Sequence, residues 1–163
     1  MSPSSSRRRI VVMILGSIAL ILAVHRRQAA IGPTLALIGA VPALIANACY
    51  LVLIVISMTG NGRIFAGTYG LALFWAAVAL WLSIAAFGAV TIRIGAVSRL
   101  GAFVLTLGAL LTLTGIDRLG LVSESAPTIF NTLSLVGIVL LGLGWILLGI
   151  DVALRRAPQP LSP

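Results

Sequence analysis

The chain of 163 residues is 60% hydrophobic and only 9% charged, with a mean hydropathy of +1.19. A water-soluble domain carries about 25% charged residues, so this chain has too little polar surface to cover a water-facing globule, and its apolar excess must face lipid. The net charge of +8 does not point to nucleic acid, because the cations stand in small groups between apolar runs rather than on one basic face with interleaved polar or aromatic residues.

Residues 1–9 read as a disordered basic tail, with Pro and Ser in Met1–Ser6 followed by Arg7–Arg9. The apolar run Ile10–Val24 comes next. A basic start before an apolar core has the outline of a signal peptide. His25-Arg26-Arg27 follows it at once, however, with no small-residue cleavage site, so the segment is expected to be retained. Its 15 residues reach about 22 Å as a helix, short of the ~30 Å hydrocarbon core. Snorkelling arginines and local thinning of the bilayer accommodate such a deficit. The run also has no polar face with which to lie in the interface.

The second span is expected over residues 29–58. Pro33 near its start is tolerated, whereas Pro42 inside it is expected to kink the helix or begin a fresh one. The Gly60-Asn61-Gly62 turn precedes a third span over 66–92. A fourth covers 100–116. The fifth covers 128–154 after a Pro- and Ser-containing opening at Ser123–Pro127, and 155–163 form a short tail. The fold expected is an all-α membrane protein, an up-and-down bundle of five transmembrane helices, with four as the alternative. In the five-helix topology Arg26–Arg27, Arg93 with Arg99, and Arg155–Arg156 share one side, which the excess of positive charge makes cytoplasmic together with the C-terminus. Arg7–Arg9 then lie outside, against that rule. The absence of Lys and the richness in Ala, Gly and Leu suggest a bacterial cytoplasmic membrane.

Glycine recurs at seven-residue spacing in Gly32/Gly39, Gly60/Gly67, Gly88/Gly95, Gly101/Gly108/Gly115, Gly137/Gly144 and Gly142/Gly149. That period keeps a stripe on one face of a left-handed helix pair. In lipid, where apolar side chains gain little by leaving one apolar medium for another, close backbone approach is what holds helices together. Gly101, Gly108, Gly115, Gly137 and Gly144 are the candidate packing residues. Thr112 extends the Gly101/Gly108/Gly115 face, expected to meet a neighbour in the same chain or in a second copy. A fainter echo links Thr34–Val41 with Thr132–Val139, although apolar segments also match by chance.

Few residues offer chemistry. Asp117 and Glu124 fall between helices. Asp151 lies four residues before Arg155 in the fifth helix, a spacing that pairs an acid with a base on one face. The sharper alternative makes Asp151 a proton or cation site. Asn47 stands mid-span and is expected to hydrogen-bond across helices, while Asn131 is placed near a helix start. Tyr50, Trp75, Trp81 and Trp145 fall within spans and read as packing residues. With His25 the sole histidine and Cys49 the sole cysteine, an intrachain disulfide, a two-histidine haem and a multi-histidine metal site are excluded. A nucleophilic triad would have to recruit a histidine from a basic loop, and no phosphate loop is present. The sequence therefore points away from an enzyme, a cofactor or a metal. It points toward a structural or accessory membrane subunit, with a small transporter or channel as the alternative. The partners expected are a bilayer with anionic headgroups near the Arg clusters, other membrane subunits or a second copy, and no nucleic acid.

Overall fold

A computed structural model describes residues 3–59, 68–114 and 128–154, with side chains over 11–56, 71–114 and 132–154. These residues form five helices: α1 (Pro3–Ala29), α2 (Pro33–Thr59), α3 (Thr68–Ile94), α4 (Arg99–Leu113) and α5 (Thr128–Leu154). Among the described residues there is no strand, and the chain is an all-α bundle in which α1, α2, α3 and α5 are long and apolar enough to cross a membrane.

Helix α1 departs most from expectation. It starts at Pro3, within the stretch read as a disordered tail. Proline suits a first helical position because its missing N–H would be unpaired there anyway. It also runs on through His25, Arg26 and Arg27 to Ala29 instead of stopping at Val24. Arginine, glutamine and alanine are good helix formers, and cations in a last turn complement the helix dipole. The candidate span Val11–Ala29 is therefore 19 residues long, about 28 Å of rise, with Arg26 and Arg27 in its last turn, where their side chains can reach the headgroups.

Helix α2 passes through Pro42 as a single 27-residue helix, so no fresh helix begins there. Pro42 is exposed on the outer face, away from the helix contacts. The turn before α2 is closed by the Ile31 and Gly32 N–H groups, which both donate to the Gln28 carbonyl at 3.0 and 2.9 Å. The short helix is α4, with 15 residues, or about 22 Å. Its start is set by two local devices. Gly95 adopts φ +70°, the left-handed conformation that ends α3. Ser98 then caps α4, its hydroxyl accepting from the Gly101 N–H at 3.2 Å. Residues 115 and 116, expected in the fourth span, lie outside the described residues, as do Gly60, Gly67, Asp117, Glu124 and Arg155–Arg156, together with the side chain of Asn131.

The helices close a ring in chain order. α4 and α5 share the most extensive contact, α2 with α3 and α3 with α4 follow, and α1 meets α5 along the sparsest seam. One end of the bundle gathers the C-terminal turns of α1, α3 and α5 and the start of α4. There Gln28 reaches Thr91, Arg27 donates to the Val152 carbonyl at 2.6 Å, and the Ser98 N–H meets Asp151. Arg26, Arg27, Arg93 and Arg99 thus fall at one end, and Arg7–Arg9 belong to the opposite end of α1. Small residues line the interior, including Ala36, Ala40, Ala43, Ala102 and Ala109, while Leu35, Ile38, Ile45, Leu100 and Phe103 point outward. Phe87, Ile21, Leu105 and Leu148 are buried among these alanines, and the small residues let backbones reach the close contact that holds helices together in lipid.

Candidate functional site

The α4–α5 contact carries four of the five glycines singled out from the sequence. The helices run antiparallel, with Thr112 against Gly137, Gly108 against Leu141, Leu105 against Gly144 and Gly101 against Leu148. Glycine alternates between the helices, so each turn of contact sets one glycine against one larger residue. A methyl group at Gly137 would sit 2.5 Å from the Thr112 nitrogen, and one at Gly144 would sit 2.6 Å from the Leu105 nitrogen and Cα. At Gly108 it would run into the Leu141 backbone, 2.8 Å from its Cα, and at Gly101 it would lie 3.0 Å from the Leu147 Cβ. Gly115 is outside the described residues. The other spaced glycines divide. Gly39 abuts Val90 and Gly88 abuts Thr106, whereas Gly32 and Gly142 have nothing within 4 Å and Gly149 meets only Leu20 at 3.9 Å. Helix α4 is not fully enclosed, because Leu100, Phe103, Leu107 and Leu110 form an outward stripe opposite its glycines.

Asn47 is 1% exposed and ties α2 to α1. Its Oδ1 accepts from the Ser17 hydroxyl at 2.5 Å, and its Nδ2 donates to the Ala43 carbonyl at 2.7 Å. Such an interhelical bond contributes about 0.6 kcal/mol on average. Ser17 escaped sequence reasoning, since one serine in an apolar run gives no sign of its partner 30 residues away.

Asn47 also borders a cavity of about 360 Å³ between α1, α2, α3 and α5. Met13 and Ser17 of α1, Asn47 and Tyr50 of α2, Trp81 of α3, and Leu141 and Trp145 of α5 are among its walls. None of its lining residues carries a carboxylate or a cationic group. Trp145 leans on Phe87, with ring centroids 6.3 Å apart, and both tryptophans pack against the core. Trp75 differs, being 60% exposed on the outer surface.

Asp151 is far from this cavity, at the arginine-bearing end. Its Oδ2 accepts from the Ser98 backbone N–H at 3.0 Å. The carboxylate thus sits at the start of α4, where unpaired N–H groups and the helix dipole favour negative charge. Arg155, its expected partner, lies outside the described residues. Nearby, Gln28 is 0% exposed and donates to the Thr91 hydroxyl at 2.7 Å, while that hydroxyl donates to the Phe87 carbonyl at 2.7 Å. The Gln28 Oε1 has no partner among the described residues. An unpaired buried acceptor costs stability that an apolar side chain of similar shape would not. Gln28→Met is therefore expected to leave the unfolding free energy in detergent unchanged or to raise it by up to about 1 kcal/mol, read as an equal or higher thermal midpoint. A clear drop would show that Oε1 is satisfied in the folded protein.

Among the described residues no group of three or more His, Cys, Asp or Glu is arranged to hold a metal ion. Cys49 is exposed on α2. Among the described residues these features are those of a helical membrane bundle with a partly open cavity between α1, α2, α3 and α5 and polar contacts where α1, α3 and α5 end. No protein-family model, curated protein or solved structure matches the chain.

Proposed function

We infer that the protein is a non-enzymatic accessory subunit of a membrane assembly, a preformed five-helix unit that docks sideways against other membrane helices. The observation that carries this reading is how the glycines are used. Gly101, Gly108, Gly137 and Gly144 are occupied by the α4–α5 contact, whereas Gly16 of α1 and Gly142 of α5, on neighbouring helices, have nothing within 4 Å of an added Cβ. Open glycines near the middle of two adjacent helices give a partner helix a place for close backbone approach. The bilayer is that of a bacterial cytoplasmic membrane, with the C-terminus and its arginines on the cytoplasmic side beside anionic headgroups.

Gly16→Leu and Gly142→Leu test the reading, because the first carbon of a side chain at either position has nothing within 4 Å in this chain. Both variants are expected to keep the unfolding midpoint of the native protein. Both are also expected to lose whatever subunit co-migrates with it after purification in gentle detergent. Co-migration that survives both substitutions would sink the proposal.

The cavity beside Asn47 supports a second reading, a small transporter. Asn47→Leu and Asp151→Asn separate the two, since a transporter loses flux whereas a scaffold loses only stability or assembly. Topology is tested independently. In a Cys49→Ser background, Ser4→Cys is expected to react with an impermeant maleimide from the side opposite the C-terminus, because α1 and α5 run in the same direction. Labelling of both ends from one side would remove the first crossing.

A further inference from the structure

We propose that the partly open cavity between α1, α2, α3 and α5 binds a small, neutral, lipid-dissolved molecule through a hydrogen-bond-accepting oxygen, such as the carbonyl of an aromatic ketone. The inference is independent of the subunit reading above.

Its size comes first. About 360 Å³ lies at the small end of the roughly 300–1,000 Å³ typical of small-molecule sites. The lining residues lie inside the apolar stretches of their helices, so a ligand must arrive through the bilayer and must be uncharged to reach this depth.

The polar wall then sets the ligand's chemistry. The Ser17 hydroxyl is committed as a donor to Asn47 Oδ1, and one N–H of the Asn47 amide is committed to Ala43. An amide nitrogen carries two N–H groups, and the second is not assigned to any protein acceptor. Tyr50 lies three residues beyond Asn47, on the same face of α2, and lines the same cavity. Its hydroxyl makes no hydrogen bond to a described residue and is not fully buried. A tyrosine hydroxyl usually finds a partner when it is taken out of water. Two donors on this wall, the Tyr50 hydroxyl and the second Asn47 N–H, are thus uncommitted, and one acceptor oxygen of a ligand would take up both. Trp81 and Trp145 supply flat apolar walls for a ring. A plain acyl chain would fill the volume but leave both donors unused.

Benzophenone is a suitable probe. It is a neutral aromatic ketone, and under near-ultraviolet light its excited carbonyl abstracts a hydrogen atom from a nearby C–H. The two radicals then join, forming a new C–C bond and a tertiary alcohol. Purified full-length protein in phosphatidylcholine nanodiscs is titrated with benzophenone, irradiated, and analysed by peptide mass spectrometry. Saturable labelling is expected on the cavity wall, with the Met13 side chain a favoured target. Tyr50→Phe removes one donor without changing the ring, and is expected to raise the half-saturating concentration about three- to tenfold. Ile138→Trp enlarges a lining residue that is already 47% exposed, and is expected to abolish saturable labelling at an unchanged unfolding midpoint. Hexadecane, which lacks any oxygen, is expected not to compete. Labelling that rises linearly and equally in native protein and Ile138→Trp overturns the site. An unchanged half-saturation in Tyr50→Phe, or effective competition by hexadecane, overturns the acceptor-oxygen requirement and leaves a cavity filled by hydrocarbon chains.

Discussion

Gly108→Leu is expected to destabilise the folded protein by at least about 3 kcal/mol, the upper end of the range for overpacking, and to pull α4 away from α5. The obstacle is backbone rather than side chain. The first carbon of any side chain at Gly108 meets the Leu141 backbone and lies 2.9 Å from the Gly137 carbonyl oxygen. Flexible neighbours swing aside cheaply, but helix backbone moves only if the helices separate, and separation opens the contact along its whole length. Even Gly144→Ala is expected to be costly, because its methyl would fall 2.6 Å from the Leu105 backbone. Gly142→Ala is the internal control, two residues away on the same helix with nothing within 4 Å. Its expected effect is nil or a slight gain, since alanine is the better helix former by up to about 1 kcal/mol. Thermal unfolding of the three variants in one detergent checks the order. Equal midpoints for Gly142→Ala and Gly144→Ala would show that the close approach does not exist in the folded protein.

That contrast also marks how far the sequence could be read. Seven-residue spacing brought Gly101, Gly108, Gly137 and Gly144 to notice, because a period close to the helical repeat must return to one face. It also picked out Gly142, which has nothing within 4 Å, Gly149, which meets only Leu20 at 3.9 Å, and Gly95, whose role is the positive φ that ends α3. Period identifies a stripe, and only the register between two helices tells which stripe is met. Asn47 stood out because an amide in an apolar run must find a partner, yet Ser17 and the cavity behind the pair depend on how α1 is rotated against α2. Apolar length alone misjudged where the first helix ends. It placed that end at Val24, although Arg and Gln continue a helix readily and α1 runs on to Ala29. Helix ends follow capping and turn geometry as much as hydropathy, and Gly95 and Ser98 supply that geometry.

Removal of the Asp151 side chain is the other substitution expected to have a large effect, and its consequences separate two roles. The carboxylate accepts from the Ser98 N–H at 3.0 Å, so it fixes the α3–α4 turn to α5 at the start of the shortest helix. A hydrogen bond to a charged group contributes about 1.5–3 kcal/mol, and a negative charge at a helix start adds about 0.3–1 kcal/mol. Asp151→Leu loses both and is expected to cost about 2–4 kcal/mol, with faster amide exchange over residues 98–102. Asp151→Asn keeps an oxygen for Ser98 and loses only the charge. Its expected cost is below about 1 kcal/mol, and raising the salt concentration should shrink it, since screening weakens exposed charge interactions. An ion or proton site predicts the reverse pattern, with Asp151→Asn fully folded yet unable to move its substrate. Matching stability losses in the Asn and Leu variants would show that charge, rather than the bond to Ser98, dominates. No loss in either would mean that α4 is held by its glycine contact with α5 alone.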